Sequence, residues 1–310
     1  MSSIDKLVIG GAQLGLASYG ITNSKAELDR DEIKKIFDTA NDFRIGYVDT
    51  ARDYGLSEQV LGEMFESGKS EIKILTKLSS LDNFDEDCDQ ALLRQSVLKS
   101  IKTSKRLLNR PLDCLMLHRA DHFWRWDGEV WKTLLSLQVE GSLNDLGVSV
   151  QTPLELEILL HDPKIKVFQL PFNILDWRWS YLVDKILAEK RKRHLLVHVR
   201  SSLLQGLLAS DDLSLWARAN CDDPAHHLDW LRATAYEMGR LSVVDLCLAY
   251  VRSQSWIDGV VIGMETEAQL HENIRLFNEK ELTPLQLTKI SGSLPTLSDK
   301  TLNPNNWKAV

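Results

Sequence analysis

The sequence alternates, from its first apolar run to its last, between short β-branched segments and longer amphipathic segments with helical spacing. A strict alternation of strand and helix implies parallel strands joined by right-handed crossovers. Because eight units follow one another without a break that suggests reversed strand order, we predict an α/β fold, a closed (β/α)8 TIM barrel. The strand-like runs, apolar enough to be buried on both faces, are 7–12, 45–50, 72–77, 112–118, 145–150, 167–172, 194–199 and 258–263.

The amphipathic segments predict one helix after each strand. In segment 26–43, for example, Leu28, Ile33 and Ala40 share one helical face. Ser57 is a residue type that caps helix N-termini, so we expect it to cap the second helix. The predicted helices span 26–43, 57–65, 87–108, 127–139, 152–160, 177–191, 242–251 and 267–277.

Two segments exceed the eight-unit plan. Residues 205–240 contain an inserted stretch with an extra helix predicted at 228–239, and residues 282–310 form a tail rich in proline, serine and asparagine. Long loops at the C-terminal side of barrel strands usually build the substrate pocket. Since no linker or internal repeat interrupts the chain, we expect residues 1–310 to form a single barrel domain.

Composition argues against several kinds of partner. The formal net charge of −7 disfavours nucleic acid and anionic membranes. No apolar run approaches the roughly 20 residues that a membrane helix needs. The four cysteines form no CxxC motif, and the start of the chain lacks the layout of a signal peptide, so we expect a cytoplasmic protein. No metal site is expected, because the adjacent pair His226 and His227 has no other ligand at suitable spacing.

Polar residues of different chemistry follow three consecutive strand-like runs. Asp49, Lys77 and His118 stand at the ends of the second, third and fourth runs, and Tyr54 follows Asp49 by five positions. Strand C-terminal ends converge on one mouth of a barrel, and neighbouring strands lie about 4.8 Å apart. Each residue alone could serve a structural role, as a loop cap or in a surface ion pair. The presence of all four residues at the same edge of the barrel predicts an active site.

The residue types suit protonation of a carbonyl oxygen while a hydride arrives at its carbon. A free tyrosine has a pKa of about 10, which is high for proton transfer at neutral pH. We expect the ammonium of Lys77 to lower the pKa of Tyr54, and Asp49 to keep that ammonium charged and oriented. The imidazole of His118 can bond a substrate oxygen and polarise a carbonyl.

The stretch VDTARDYGLSEQVLG resembles the signature of the aldo-keto reductases, D-T-A-x-x-Y-G-x-S-E, and ILTKL and LMLHRAD resemble that family's lysine and histidine segments. The resemblance implies a (β/α)8 barrel and nicotinamide-dependent reduction of aldehydes and ketones, or the reverse oxidation. It also implies that Tyr54 is the general acid/base, that Lys77 lowers its pKa, that Asp49 holds Lys77 and that His118 orients the carbonyl.

The same resemblance implies a cofactor site. Ser149 and Gln169 correspond to residues that bond the nicotinamide carboxamide, and Ser201 and Leu203 to residues at the pyrophosphate. The segment that holds the adenosine end includes Gly263, Glu265, Gln269 and Asn273.

Three residues depart from the family pattern. Val150 replaces a common asparagine, and Arg200 replaces an aromatic residue that stacks on the nicotinamide. A guanidinium is planar and can stack, or can hold a phosphate or carboxylate. Glu265 stands where many relatives place a base against the 2′-phosphate of NADP. The motif RSxLxQG resembles that of an atypical bacterial branch of the family, some of whose members modify sugars.

The cofactor is predicted to be NADP or NAD, and Glu265 favours NAD. A carboxylate would repel the 2′-phosphate of NADP but could accept hydrogen bonds from the ribose hydroxyls of NAD. The alternative is that Glu265 faces solvent while Arg275 or another base serves the phosphate. For the substrate pocket we expect Arg119, Trp124 and Trp307, with aromatic rings suited to a sugar-like compound; packing is the alternative role for the tryptophans.

The sequence thus predicts an NAD(P)-dependent carbonyl reductase, or an alcohol or aldose dehydrogenase, with a small-molecule substrate. Two alternatives stay open at this point. One is a non-catalytic regulator that binds the nicotinamide cofactor and senses redox state. The other is an aldolase in which Lys77 forms a Schiff base.

Overall fold

A computed structural model describes residues 3–16, 28–66 and 70–307, and its strands form a closed barrel. All eight strands are parallel to their neighbours in chain order, and the last pairs with the first, Leu7 opposite Val260. The predicted (β/α)8 barrel is confirmed. The strands are β1 (Leu7–Gly10), β2 (Tyr47–Asp49), β3 (Lys73–Lys77), β4 (Cys114–Leu117), β5 (Asp145–Ser149), β6 (Ile165–Pro171), β7 (Leu196–Arg200) and β8 (Gly259–Gly263).

Helices cover the outside of the barrel, and each of the eight predicted segments contains a helix. Residues 28–29 and 87–89 of the predicted segments precede the first and third helices, which begin at Arg30 and Gln90. Segment 177–191 begins as a 3-10 helix, Trp177–Leu182, before it continues as α-helix, and residues 26–27 of the first predicted helix lie outside the described residues. The α-helices are α1 (Arg30–Asp42), α2 (Ser57–Met64), α3 (Gln90–Leu108), α4 (Glu129–Val139), α5 (Pro153–Leu159), α6 (Val183–Lys192), α7 (Leu213–Arg218), α8 (Pro224–Glu237), α9 (Val243–Arg252), α10 (Glu267–Asn278), α11 (Pro284–Gly292) and α12 (Asp299–Leu302).

The insertion and the tail hold more helix than predicted. The extra helix is α8, which begins four residues earlier than expected because Asp223 caps it and Pro224 starts it. Helices α7, α11 and α12 were not predicted. Thr283 and Gln286 form a capping box at the start of α11, so the T-P-L-Q sequence already carried the signal for this helix.

The expected cap at Ser57 is wrong. Ser57 is the first residue of α2, and Leu56 occupies the cap position. The Ser57 hydroxyl instead donates to the carbonyl oxygen of Gly11 at 2.7 Å, and so ties α2 to the loop after β1.

Strand register places the polar residues at one edge. Asp49 lies opposite Gly10 in β1 and Leu75 in β3, and Lys77 lies opposite Met116. Because the strands are parallel, their C-terminal ends surround one mouth of the barrel. Among the described residues, no helix is both long and apolar enough to cross a bilayer.

Candidate active site

A buried ion pair joins the ends of β2 and β3. Lys77 Nζ lies 2.6 Å from Asp49 Oδ1 and donates to the carbonyl oxygen of Thr50 at 3.0 Å. Gln169 Nε2, from β6, donates to the same carboxylate oxygen at 2.6 Å. The side chain of Lys77 is 1% exposed and that of Asp49 is 7% exposed. Each charge therefore depends on the other for compensation.

Tyr54 and His118 lie next to this pair. Lys77 Nζ is 5.1 Å from the centroid of the Tyr54 ring. The ring centroids of Tyr54 and His118 are 5.7 Å apart, and their planes meet at 84°. The structure thus brings together the four residues that the sequence assigned to catalysis.

The loop that carries Tyr54 is held by other residues of the D-T-A-x-x-Y-G-x-S-E stretch. Thr50 Oγ1 lies 2.7 Å from Ser57 Oγ. Glu58 is fully buried, accepts a hydrogen bond from Thr76 Oγ1 at 2.7 Å and pairs with Arg52. These contacts fix the loop to β3 on one side and to the loop after β1 on the other.

The pKa of Tyr54 is raised in this environment. Burial is the main cause and the Asp49 carboxylate adds to it, while Arg200 acts in the opposite direction. We had expected Lys77 to lower this pKa, but Asp49 balances the lysine charge at 2.6 Å and the net shift is upward. At neutral pH the side chain is therefore a phenol, which can donate a proton.

His118 is oriented by Asp53, a residue that the sequence reasoning missed although it directly precedes Tyr54. His118 Nδ1 lies 3.4 Å from Asp53 Oδ2, which also accepts the backbone N–H of Ser80 at 2.7 Å. Burial lowers the pKa of His118, and Asp53 opposes this only in part. Because a carboxylate only accepts hydrogen bonds, the neutral ring carries its proton on Nδ1 and presents Nε2 as an acceptor.

A cavity of about 320 Å³ opens beside these residues. Asp49 and Tyr54 lie on its wall, and it extends along the ends of β7 and β8 to α10. A volume of roughly 300 Å³ or more is typical of sites for small molecules and cofactors. Most of the predicted cofactor residues line it, namely Arg200, Ser201, Leu203, Gly263, Glu265, Gln269 and Asn273.

Ser149 and Gln169 are close to the mouth but do not line this cavity. Both are buried at the ends of neighbouring strands, and Gln169 uses its Nε2 on Asp49. Val150, at the position where relatives commonly have asparagine, packs into the hydrophobic core. The nicotinamide contacts of Ser149 and Gln169 stay predictions.

Arg200 reaches from the end of β7 toward the segment after β5. Its Nη2 donates to Gln151 Oε1 at 2.8 Å and lies 3.5 Å from the carbonyl oxygen of Val150. These contacts hold the guanidinium at the cavity wall, near enough to Tyr54 to influence its pKa.

The adenosine end of the predicted site is acidic. Glu265 and Glu272 both line the cavity there. Arg275, the alternative base, is not among the lining residues, and its guanidinium lies 2.6 Å from Glu272 and 3.6 Å from Glu279. Among the described lining residues, Arg200 is the only Lys or Arg, and it lies toward Tyr54.

The three predicted substrate-pocket residues do not line the cavity. Arg119 pairs with Asp82 at 2.6 Å, and Trp124 is 43% exposed. Trp307 packs against the core, and its Nε1 donates to the carbonyl oxygen of Thr301 at 2.9 Å. A role for these residues in substrate binding stays a prediction.

Four polar residues on the cavity wall, Gln13, Ser202, Gln205 and Glu272, were missed by sequence reasoning. Gln13 follows β1, and Ser202 lies between two predicted cofactor residues. Gln13 Oε1 and Ser202 Oγ are buried, and neither atom has a hydrogen-bond partner among the described residues. In the sequence, Gln13 stands in the GGAQLG loop with no charge or motif to mark it.

Comparisons with known proteins give evidence on the family and the fold. The model of the Aldo/keto reductase family matches residues 6–294. The chain is 24% identical over 294 residues to an uncharacterized oxidoreductase, YqkF, of Bacillus subtilis (strain 168), covering 90% of this chain and 92% of that protein. It is also 24% identical over 313 residues to a probable voltage-gated potassium channel subunit beta of Arabidopsis thaliana, covering 91% and 92%.

Among solved structures, the chain is similar to the holo form of the aldo-keto reductase AKR11C1 from Bacillus halodurans. The TM-score is 0.71 at 20% sequence identity, covering 96% of this chain and 95% of that one. At this identity the likeness shows the fold, and it agrees with the closed barrel.

Proposed function

Because the chain belongs to the aldo/keto reductase family, we propose that it interconverts a carbonyl compound and the corresponding alcohol by hydride transfer with a nicotinamide cofactor. The observation that carries this proposal is the meeting of Asp49, Tyr54, Lys77 and His118 beside one cavity. The proposal also includes three expectations from the sequence: a sugar-like substrate, action as an alcohol or aldose dehydrogenase, and a cytoplasmic location.

The cavity residues fit a nicotinamide dinucleotide. Ser202 Oγ on the wall and Gln169 Oε1 at the mouth are buried, and neither has a partner among the described residues. Buried polar atoms of this kind are costly unless a polar ligand or water bonds them. We propose that Ser201, Leu203 and Gly263, together with Gln269 and Asn273, hold the cofactor, which supplies the hydride when bound.

Tyr54 handles the proton in this proposal. Its raised pKa keeps it a phenol at neutral pH, so it can donate to a carbonyl oxygen that gains electron density during reduction. In the oxidative direction the same oxygen takes the proton from the alcohol. Asp49 and Lys77 form a buried ion pair beside it.

His118 orients hydroxyl groups rather than acting as a permanent donor. With Asp53 at Nδ1, the neutral ring offers Nε2 as an acceptor. It becomes a donor to a carbonyl oxygen at Nε2 only when it is protonated. We therefore assign His118 to the alignment of the substrate and the Tyr54 hydroxyl.

We also propose that NAD(H) is preferred over NADP(H). Glu265 and Glu272 line the end of the cavity where the 2′-phosphate would lie, and Arg275 is engaged with Glu272. Carboxylates repel a phosphate and can accept from ribose hydroxyls. Fluorescence titration tests this directly, since NADPH binding as tight as or tighter than that of NADH would refute it.

Two other functions make different predictions. The first is a non-catalytic regulator that binds the cofactor without turnover, and the similarity to a protein named as a probable potassium channel subunit is in line with a regulatory role. An aldolase is less well supported, because Lys77 Nζ donates to both Asp49 and Thr50, and an ammonium bound in this way offers no lone pair for attack.

The test is a screen of NADH and NADPH oxidation over aldehydes, ketoses and aldoses, followed at the nicotinamide absorbance band. Turnover with any carbonyl compound supports the reductase. Cofactor binding without turnover across the panel favours the regulator. Borohydride trapping of a substrate on Lys77, with no change at the nicotinamide band, favours the aldolase.

A further inference from the structure

Gln13 places a buried amide oxygen, which has no hydrogen-bond partner among the described residues, beside the cavity of Tyr54. The residue lies on a 3-10 helix, Ala12–Leu14, directly after β1, and lines the same cavity as Tyr54. Burying an amide oxygen in this way is unfavourable unless a ligand or water bonds it, so the amide marks a position for a hydrogen-bond donor.

The amide lies over the end of β8. A Cβ added at Gly263 would lie 1.9 Å from Gln13 Oε1 and 2.9 Å from its Cδ. Any side chain at position 263 would therefore displace the amide. The absence of a side chain at Gly263 is what allows the Gln13 amide to lie over the end of the neighbouring strand β8.

The 3-10 helix is fixed relative to the proposed proton donor. Gly11 N donates to the carbonyl oxygen of Asp49 at 2.7 Å, and Gly11 in turn accepts from Ser57 Oγ at 2.7 Å. A Cβ added at Gly15 would lie 2.0 Å from the carbonyl oxygen of Tyr54, so the two loops pack backbone against backbone. A substrate held by Tyr54 at its carbonyl group would meet Gln13 at a constant separation.

We propose that Gln13 is a specificity residue whose amide accepts a hydrogen bond from a substrate hydroxyl next to the reacting carbonyl. The substrate class is then the hydroxylated aldehydes and ketones, in preference to their deoxy analogues. This inference rests on the proposed carbonyl reductase function. A ribose hydroxyl of the cofactor offers the same chemistry, and the experiment separates the two sources.

Ser202 provides a matched control. It is 1% exposed, its Oγ also lacks a partner among the described residues, and it lines the same cavity. It follows β7, whereas Gln13 packs with the loop of Tyr54. We expect Ser202 to face the cofactor and to have no part in reading the substrate hydroxyl.

The experiment compares glyceraldehyde with propanal, and glycolaldehyde with acetaldehyde, in the wild type, Gln13→Met and Ser202→Ala. Methionine keeps the length of the side chain but removes its amide. We expect the wild type to favour the hydroxylated aldehyde of each pair by roughly tenfold or more in kcat/KM, as one hydrogen bond between neutral groups allows. In Gln13→Met, kcat/KM for the hydroxylated aldehyde should fall while kcat/KM for its deoxy analogue stays unchanged, so the preference is lost. The KM for the nucleotide and the thermal stability should also stay unchanged.

Other outcomes overturn the proposal. Equal turnover of both members of each pair by the wild type, or an equal loss for both in Gln13→Met, would remove the role of the amide in specificity. If Gln13→Met raises the KM for the nucleotide but keeps the preference for hydroxylated aldehydes, the amide binds the cofactor. If only Ser202→Ala loses that preference, Ser202 is the residue that recognises the substrate hydroxyl. Lack of turnover with every carbonyl compound would overturn the proposed function itself, which distinguishes that failure from the others.

Discussion

Tyr54 is a buried phenol whose acidity is set by neighbours of opposite effect. Burial and Asp49 raise its pKa, and Arg200 lowers it. Asp49 therefore has two effects at once, since it holds Lys77 in place and also disfavours a negative charge on Tyr54. The balance favours the protonated form, which is the form that carbonyl reduction needs.

The raised pKa of Tyr54 predicts opposite pH profiles for the two directions. Because the pKa of Tyr54 is raised above its usual value of about 10, the phenol stays protonated and the reductive rate should stay level from neutral pH to about pH 10. The oxidative rate needs the phenolate and should rise across the same range. Initial rates in both directions from about pH 6 to 10 test this, and a reductive rate that falls already between about pH 7 and 8 would contradict it.

The Asp49–Lys77 pair predicts a non-additive effect on stability. Asp49→Asn would leave a buried ammonium without its counter-charge, and we expect the free energy of unfolding to fall by about 3–5 kcal/mol. The double variant Asp49→Asn, Lys77→Met should lose less, because it buries no uncompensated charge. Urea denaturation of Asp49→Asn, Lys77→Met and the double variant measures this, and losses that simply add would argue against a coupled pair.

Individual residues were predictable from sequence when their own type carries the chemistry. Asp49, Tyr54, Lys77 and His118 were found because an acid, a phenol, an amine and an imidazole follow neighbouring strands. The direction of the pKa shift of Tyr54 could not be predicted, because it depends on the depth of burial and on the 2.6 Å contact between Lys77 and Asp49. Contacts between residues far apart in the chain cannot be inferred from the spacing of residues within a short segment.

At the scale of elements, the loop after β1 and the N-terminus of α2 support the Tyr54 loop together. Ser57 Oγ contacts both Gly11 and Thr50 at 2.7 Å. Gly55 has a φ of +54°, a conformation that favours glycine, and an added Cβ there would lie 2.3 Å from the carbonyl oxygen of Gly15. The serine and the glycine of the signature are thus structural supports for its tyrosine.

We predict that Ser57→Ala lowers activity through the position of Tyr54. The variant loses a buried hydroxyl that bonds two loops, so it should lose about 1–3 kcal/mol of stability. We also expect kcat to fall several-fold, since small displacements of catalytic groups are costly. Ser136→Ala is the control, because that exposed hydroxyl bonds only Lys132 of its own helix. Equal activity of Ser57→Ala and Ser136→Ala would contradict the prediction.

Strands were easier to predict than the additional helices. Runs such as 72–77 and 258–263 are rich in apolar and β-branched residues, which suits a strand buried on both faces. Helices α7 and α12 are short, and their N-caps, Asp212 and Ser298, stand in polar segments without clear periodicity. The prolines at the start of α8 and α11 indicate helix N-termini, but the polar composition of these segments made that signal easy to overlook.

At the scale of the whole molecule, barrel closure brings the C-terminal ends of all eight strands around one mouth. Gln169 of β6 contacts Asp49 of β2 across the barrel, although the two are 120 positions apart in the chain. The alternation of strands and helices predicted the barrel and its catalytic edge. It could not predict which buried polar atoms would lack a partner within the described part of the chain, such as Gln13 Oε1 and Ser202 Oγ.

Ligand binding to the folded state should stabilise the whole molecule selectively. A ligand at 100 times its Kd adds about 2.7 kcal/mol to the free energy of unfolding. Since Glu265 and Glu272 line the adenosine end, equal concentrations of NADH should raise Tm more than NADPH does. Glu265→Gln should narrow that difference, and a larger shift with NADPH in the wild type would contradict the proposed preference.

The most direct test of the central claim is the Tyr54→Phe variant. Removing the phenolic oxygen leaves the ring beside His118 and the cavity wall in place, so NADH should bind with unchanged Kd in a fluorescence titration. Carbonyl reduction should fall by at least about a hundredfold in kcat, because the proton donor is gone. Near wild-type turnover by Tyr54→Phe, with a carbonyl compound that the wild type reduces, would show that another group donates the proton.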